Sequence, residues 1–173
     1  MKKAIVFILM TCILFSAVGC SSTKPSEKIF SIESYNLQIK ADNTFSEKTA
    51  GDFDLQITND KCYISIMAFE YIDLPNDLTP SDVYDMQNDD IFSRRSNVTT
   101  IEETKSESFS NRTITKALYS AEKDGIKNYY ATYLIDLPED EVFAWVLITA
   151  TPSYLSDNQE YLNNIASSLT TIK

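Results

Sequence analysis

The chemistry available to this chain rests almost entirely on carboxylates and tyrosines. It has 25 Asp and Glu residues, 10 tyrosines and no histidine. Ser-His-Asp and Cys-His nucleophilic catalysis and histidine-ligated metals are therefore excluded. With three glycines in the whole sequence, a glycine-rich phosphate cradle is excluded as well. Asp82, Asp85 and Asp89 recur at helical spacing and are the candidate metal ligands, a weak hydrated cation site on one helix face. The competing reading is a solvated face whose first-turn acid favours the helix dipole. None of the acidic runs carries the alternating acids and central glycine of a helix–loop–helix calcium site. Tyr129, Tyr130 and Tyr133 are the candidate ligand-binding residues, because tyrosine offers rigid contact area with a polar tip. No cofactor is implied.

Cysteine has three distinct fates. Cys12 lies in an apolar run, Cys20 follows it, and Cys62 alternates with Ile64, Ile66 and Ala68. That alternation is the setting of a buried, inert thiol. A reactive thiol would need a cation or a helix N-terminus beside it.

Met1-Lys2-Lys3, the apolar stretch from Ala4 to Phe15 and the small residues after it read as an export signal over 1–19. The stretch falls short of the about 20 apolar residues that a membrane span requires. Ala17-Val18-Gly19-Cys20 resembles the bacterial lipobox, and the alternative is an ordinary secretory signal with an incidental Cys20. The lipobox implies cleavage before Cys20 and acylation of that residue, which becomes the lipidation site. Two or more acyl chains, at about 0.8 kcal/mol per buried CH₂, hold a protein stably at a membrane. Residues 20–28 then form a lipidated, polar tether that spans at most roughly 25–30 Å. Residues 29–173 remain as a single domain. The formal charge of −10, more negative once Lys2 and Lys3 are removed, disfavours nucleic acid and anionic lipid as partners of a basic face.

The elements of that domain follow from periodicity. Phe30–Glu33, Leu37–Ile39 and Phe53–Ile57 alternate as half-buried strands. Thr58-Asn59-Asp60-Lys61 turns the chain into a strand over Cys62–Glu70 that is apolar on both faces. Thr79-Pro80-Ser81-Asp82 starts a helix to Ser93, with Val83, Met86, Ile91 and Phe92 expected to face inward. Val98–Phe109 reads as a polar edge strand or mobile ribbon. Lys123-Asp124-Gly125 joins two long strands as a hairpin. Val142–Ala150 is the candidate central strand. Ser156-x-x-Gln159 matches a capping box ahead of a closing helix that carries Tyr161, Leu162, Ile165 and Leu169.

This order predicts an α+β domain, an antiparallel sheet of six to eight strands with helices on its faces. From Phe30 to the ending Ile165-Ala166-Ser167-Ser168-Leu169 it resembles the PsbP-like family, which includes the Mog-type Ran-binding proteins. The resemblance implies a binding or assembly module and supplies no catalytic residue. Together with the lipobox it implies a non-enzymatic lipoprotein on the outer face of the cell membrane, with a protein or small-ligand partner. Asn-, Lys-, Ile- and Tyr-rich usage points to a Gram-positive source. The alternative is a hydrolase or metal-dependent surface enzyme built on carboxylates.

Overall fold

A computed structural model of the chain describes residues 25–49 and 51–172. The leader and Cys20 lie outside these residues. Strands β1 (Glu27–Ile32) and β2 (Leu37–Asp42) form a first hairpin. Glu27 and Lys28, read from sequence as the end of the tether, are therefore part of β1. Strands β3 (Ser46–Glu47), β4 (Leu55–Thr58) and β5 (Cys62–Glu70) lead to helix α1 (Pro80–Ser93). Strands β6 (Ser96–Ser108), β7 (Thr113–Lys123), β8 (Ile126–Leu137) and β9 (Val142–Ala150) follow. Helices α2 (Pro152–Asp157) and α3 (Gln159–Ser167) and the short strand β10 (Thr170–Thr171) close the chain.

The architecture is α+β. Seven strands form one antiparallel sheet in the order β3-β4-β5-β9-β8-β7-β6. Strand β9 lies between β5 and β8 and is buried along nearly its whole length, as its unbroken apolar run demands. Its two faces supply two cores. Val142, Ala144, Val146 and Ile148 pack with α2, α3 and the first hairpin. Phe143, Trp145 and Leu147 pack with Val83 and Tyr84 of α1. The first hairpin does not extend the large sheet. It pairs with β10 in a separate three-stranded sheet, because only one side of it, with Phe30, Ile32, Leu37 and Ile39, is apolar enough to bury.

Helix α1 starts at a reciprocal capping box: the Asp82 amide donates to Thr79 Oγ1 (3.3 Å) and the Thr79 amide donates to Asp82 Oδ2 (2.7 Å). Its inward stripe differs from the expected one. Met86 is 55% exposed, while Tyr84 and Asn88 are buried. Tyr84, Asn88 and Phe92 recur every four residues along one face, and Met86 falls on the opposite side. The polar Asn88 disguises that stripe, and it is buried because it accepts a hydrogen bond from Trp145 Nε1 at 3.0 Å.

The Ser156–Gln159 capping box does not form. Pro152 starts a separate short helix that already contains Ser156, and the cap of α3 is Asn158, whose side chain donates to the Tyr154 carbonyl instead. The Asp124-Gly125 hairpin forms as read, with both residues at positive φ (54° and 76°) in the manner of a type I′ turn. The polar segment is the edge strand β6, and its register with β7 shifts three times.

Candidate functional site

The helices cover the β6–β7 end of the large sheet only in part: Ile114 and Leu118 pack in the α2–α3 core, and Gln159 of α3 donates to Glu102 of β6 at 2.7 Å. Helices α2 and α3 pack over β8 and β9, and the β6–β7 end of the sheet extends past α3 to leave a cleft of about 500 Å³. The sheet register builds its floor. Lys105 of β6 stands opposite Lys116 of β7, and Lys116 stands opposite Tyr133 of β8. The next row on the same face is Glu107 opposite Ile114. Asn163, Asn164 and Ser167 of α3 form the facing wall, and the Phe109–Arg112 turn closes one end.

The walls are tied together by hydrogen bonds. The Tyr133 hydroxyl donates to Asn163 Oδ1 at 2.5 Å. Arg112 Nη1 donates to the Ser167 and Leu169 carbonyls at 2.8 and 3.1 Å. Ser167 is the last residue of α3, so the guanidinium also meets the negative end of the helix dipole. Phe109 remains 53% exposed at the mouth. Three cations and one carboxylate thus line this cleft in a chain whose charge is −10.

Two other hollows are lined by side chains that already bond or stack on one another, although Arg95 Nε in the second is buried without a hydrogen-bond partner among the described residues. One of about 700 Å³ lies beside Pro25 and the β1–β2 end. There the Tyr161 hydroxyl donates to Asp42 Oδ2 (2.6 Å), the Thr44 amide donates to Asp42 Oδ1 (2.8 Å), and Asn59 donates to the Tyr154 hydroxyl (3.3 Å). Burial would raise the Asp42 carboxyl, but the hydrogen bonds from Thr44 and Tyr161 outweigh it and hold the group below its usual range. The other, of about 410 Å³, lies past the C-terminus of α1, where Arg95 stacks on the Tyr130 ring with its guanidinium carbon 4.6 Å from the centroid.

The sequence-predicted residues distribute as follows. Tyr130 and Tyr133 are core residues, 1% and 3% exposed, and Tyr129 is half-buried against the α2–α3 core. They do not form an exposed aromatic surface, because β8 is an interior strand covered on both faces. Tyr133 reaches the cleft only through its hydroxyl end, and burial raises the pKa of that phenol. Asp82 is engaged in the α1 cap, whose hydrogen bonds from Thr79 lower its pKa. Asp85 and Asp89 are exposed, and among the described residues no group of three acids, cysteines or histidines converges as metal ligands. Cys62 is buried, and burial together with the Asp42 charge pushes its thiol up to about 12, as an inert core thiol requires. Sequence reasoning missed the cleft residues Lys105, Arg112, Lys116, Asn163 and Asn164. One signal was present: Lys116 interrupts the inward-facing series Ile114, Lys116, Leu118.

No family model and no curated protein matches the sequence. Solved structures do match. Cyanobacterial PsbP (CyanoP) of Synechocystis sp. PCC 6803 aligns with a TM-score of 0.65 at 11% identity, over 91% of this chain and 99% of that one. The fold is PsbP/Mog1-like. The Saccharomyces cerevisiae Ran-binding protein Mog1p aligns at a TM-score of 0.57 and 9% identity, over 87% of this chain and 97% of its own. LpqN of Mycobacterium tuberculosis, described as involved in cell envelope biogenesis, aligns at 0.57 and 10% identity over 88% of each chain. At these identities the likeness is one of fold. Among the described residues, no helix is long and apolar enough to cross a membrane.

Proposed function

We propose that this chain is a lipid-anchored, non-enzymatic binding module on the outer face of a Gram-positive cell membrane. Acylated Cys20 is the anchor, and the cleft beside α3 receives the partner. The observation that carries the reading is the cleft itself. It is a concave, polar-lined space of about 500 Å³, within the range of small-ligand sites, between a fixed helix and the sheet edge. The hydrogen-bonded Asp42 and Asp82 favour the ionised form, the opposite of what a general acid near neutral pH needs. Ran binding by Mog1p supports a binding task for the same fold, and the involvement of LpqN in cell envelope biogenesis supports a place at the envelope.

The test has two arms. Cys20→Ala should abolish metabolic fatty-acid labelling and release the protein from the membrane fraction. Native mass spectrometry of the full chain, extracted in mild detergent, should retain a bound mass that Asn164→Trp loses by filling the cleft. Turnover in a glycoside, ester and peptide screen, lost on changing one Asp or Glu pair, would replace this reading with the enzymatic one.

A further inference from the structure

We infer that the cleft beside α3 is built for an anionic group, a carboxylate or a phosphate, carried by the ligand of the binding module proposed above, on which this inference rests. The reason is an electrostatic cost that the fold alone does not explain. Lys105 and Lys116 are direct register partners on adjacent antiparallel strands, and both line the cleft. Side chains directly opposite have Cβ atoms about 4.5–5.5 Å apart, where like charges repel. Neither lysine makes an ion pair among the described residues, where the ion pairs are Lys40–Glu27 and Arg94–Asp90. Acids outnumber cations 25 to 15 in the sequence, so an acid opposite either lysine would have been the easier arrangement.

A lysine on an edge strand also discourages strand pairing, a second role that Lys105 can fill. That role does not account for Lys116. That residue lies on the inner strand β7, half-buried at an inward position between the core residues Ile114 and Leu118. Arg112 adds a third cation, and its bonds to the Ser167 and Leu169 carbonyls use Nη1, one of several donor atoms on a guanidinium. Asn163 accepts from Tyr133 through Oδ1, which leaves its amide N–H groups as neutral donors. An anion seated between the two ammonium groups converts their repulsion into two attractions, and the guanidinium and amide give its oxygens direction.

Thermal melts of the full chain in detergent, at matched ionic strength in chloride, inorganic phosphate or citrate, test this. At a probe concentration a few times its dissociation constant, phosphate or citrate should raise the wild-type Tm by about 2–4 °C beyond chloride. The double variant Lys105→Gln/Lys116→Gln should lose most of that gain. A response to phosphate alone assigns a phosphate-bearing ligand, and one to citrate alone a carboxylate-bearing ligand. Equal gains in wild type and variant, or no gain beyond chloride, would overturn the inference. If the double variant does not fold, an NMR titration of the wild-type chain decides: amide shifts at Lys105, Arg112 and Lys116 support the site, and shifts confined elsewhere refute it. A native ligand lost in Asn164→Trp, with no response to either probe, would leave the binding reading standing while the anionic one falls.

Discussion

The centre of the large sheet and its β6–β7 rim follow opposite rules. At the centre, buried polar groups are matched to one another. Trp145 donates to Asn88 at 3.0 Å, and Tyr84 and Thr132 share a hydrogen bond of 2.8 Å. At the rim, two lysines face each other across a register pair with no acid bonded to either. Matched polar groups in a dry interior secure one native packing. An unmatched cation pair at an open cleft lowers stability, and proteins tolerate that where function uses it. The contrast separates the part of the molecule that holds the fold from the part proposed above to meet a ligand.

The largest effect should come from the centre. Trp145 is 1% exposed and Phe53 stacks on it at a centroid distance of 6.4 Å. Trp145→Ala should lower the unfolding free energy from urea melts by about 3–5 kcal/mol. A loss under about 1 kcal/mol would break the claim that the centre carries the stability. Asn88→Ala removes the acceptor of the indole N–H while leaving the ring in place. An unpaired buried donor costs about 1–3 kcal/mol, and Asn88→Asp, which keeps an acceptor, should cost less.

Cys62 gives a pH-dependent test of the same interior. Its folded pKa of about 12 stands above the ordinary thiol value of 9.0. The unfolded chain therefore loses its thiol proton first as pH rises. The thiol contribution is intact below pH 9 and is lost progressively between 9 and 12, with a slope of at most about 1.4 kcal/mol per pH unit. Buried Tyr133 and half-buried Tyr71 and Tyr161, whose pKa values are raised, act in the same direction, so the thiol is isolated as the difference between wild type and Cys62→Ala. Identical alkaline slopes in the two proteins would place Cys62 at the surface. The smallest effect belongs to Met86, which points to solvent. Met86→Lys should change stability by less than about 0.5 kcal/mol, and a large loss would restore the inward orientation that its sequence position suggested.

Elements with one dominant signal were legible in the sequence. Strand β9 reads as central because nothing polar interrupts Val142–Ile148. Helix α1 is bounded by Thr79-Pro80 and by the loss of helical period after Ser93. The β7–β8 hairpin follows from Asp124-Gly125. Where tertiary partners override local pattern, the reading failed. Asn88 looks exposed until Trp145 is known to reach it, and Tyr130 and Tyr133 look available until β8 is seen between β7 and β9. The cleft was least legible of all. Its floor depends on a β6–β7 register with three shifts, and no pattern within either strand fixes which residues of β6 meet Lys116.

The central claim is that the rim lysines are an arrangement for binding and not for stability. Its most direct test is the melting temperature of Lys105→Gln against wild type, without added phosphate or carboxylate, across a salt series. Lys105 is exposed, so the change removes one charge with little loss of packing. The variant should be more stable by about 0.2–1 kcal/mol at low ionic strength. The difference should fade toward 1 M salt, where screening confines electrostatics to about 3 Å. A variant less stable than wild type at low salt would contradict the account, because it would show that Lys105 holds the fold together rather than waiting for an anion.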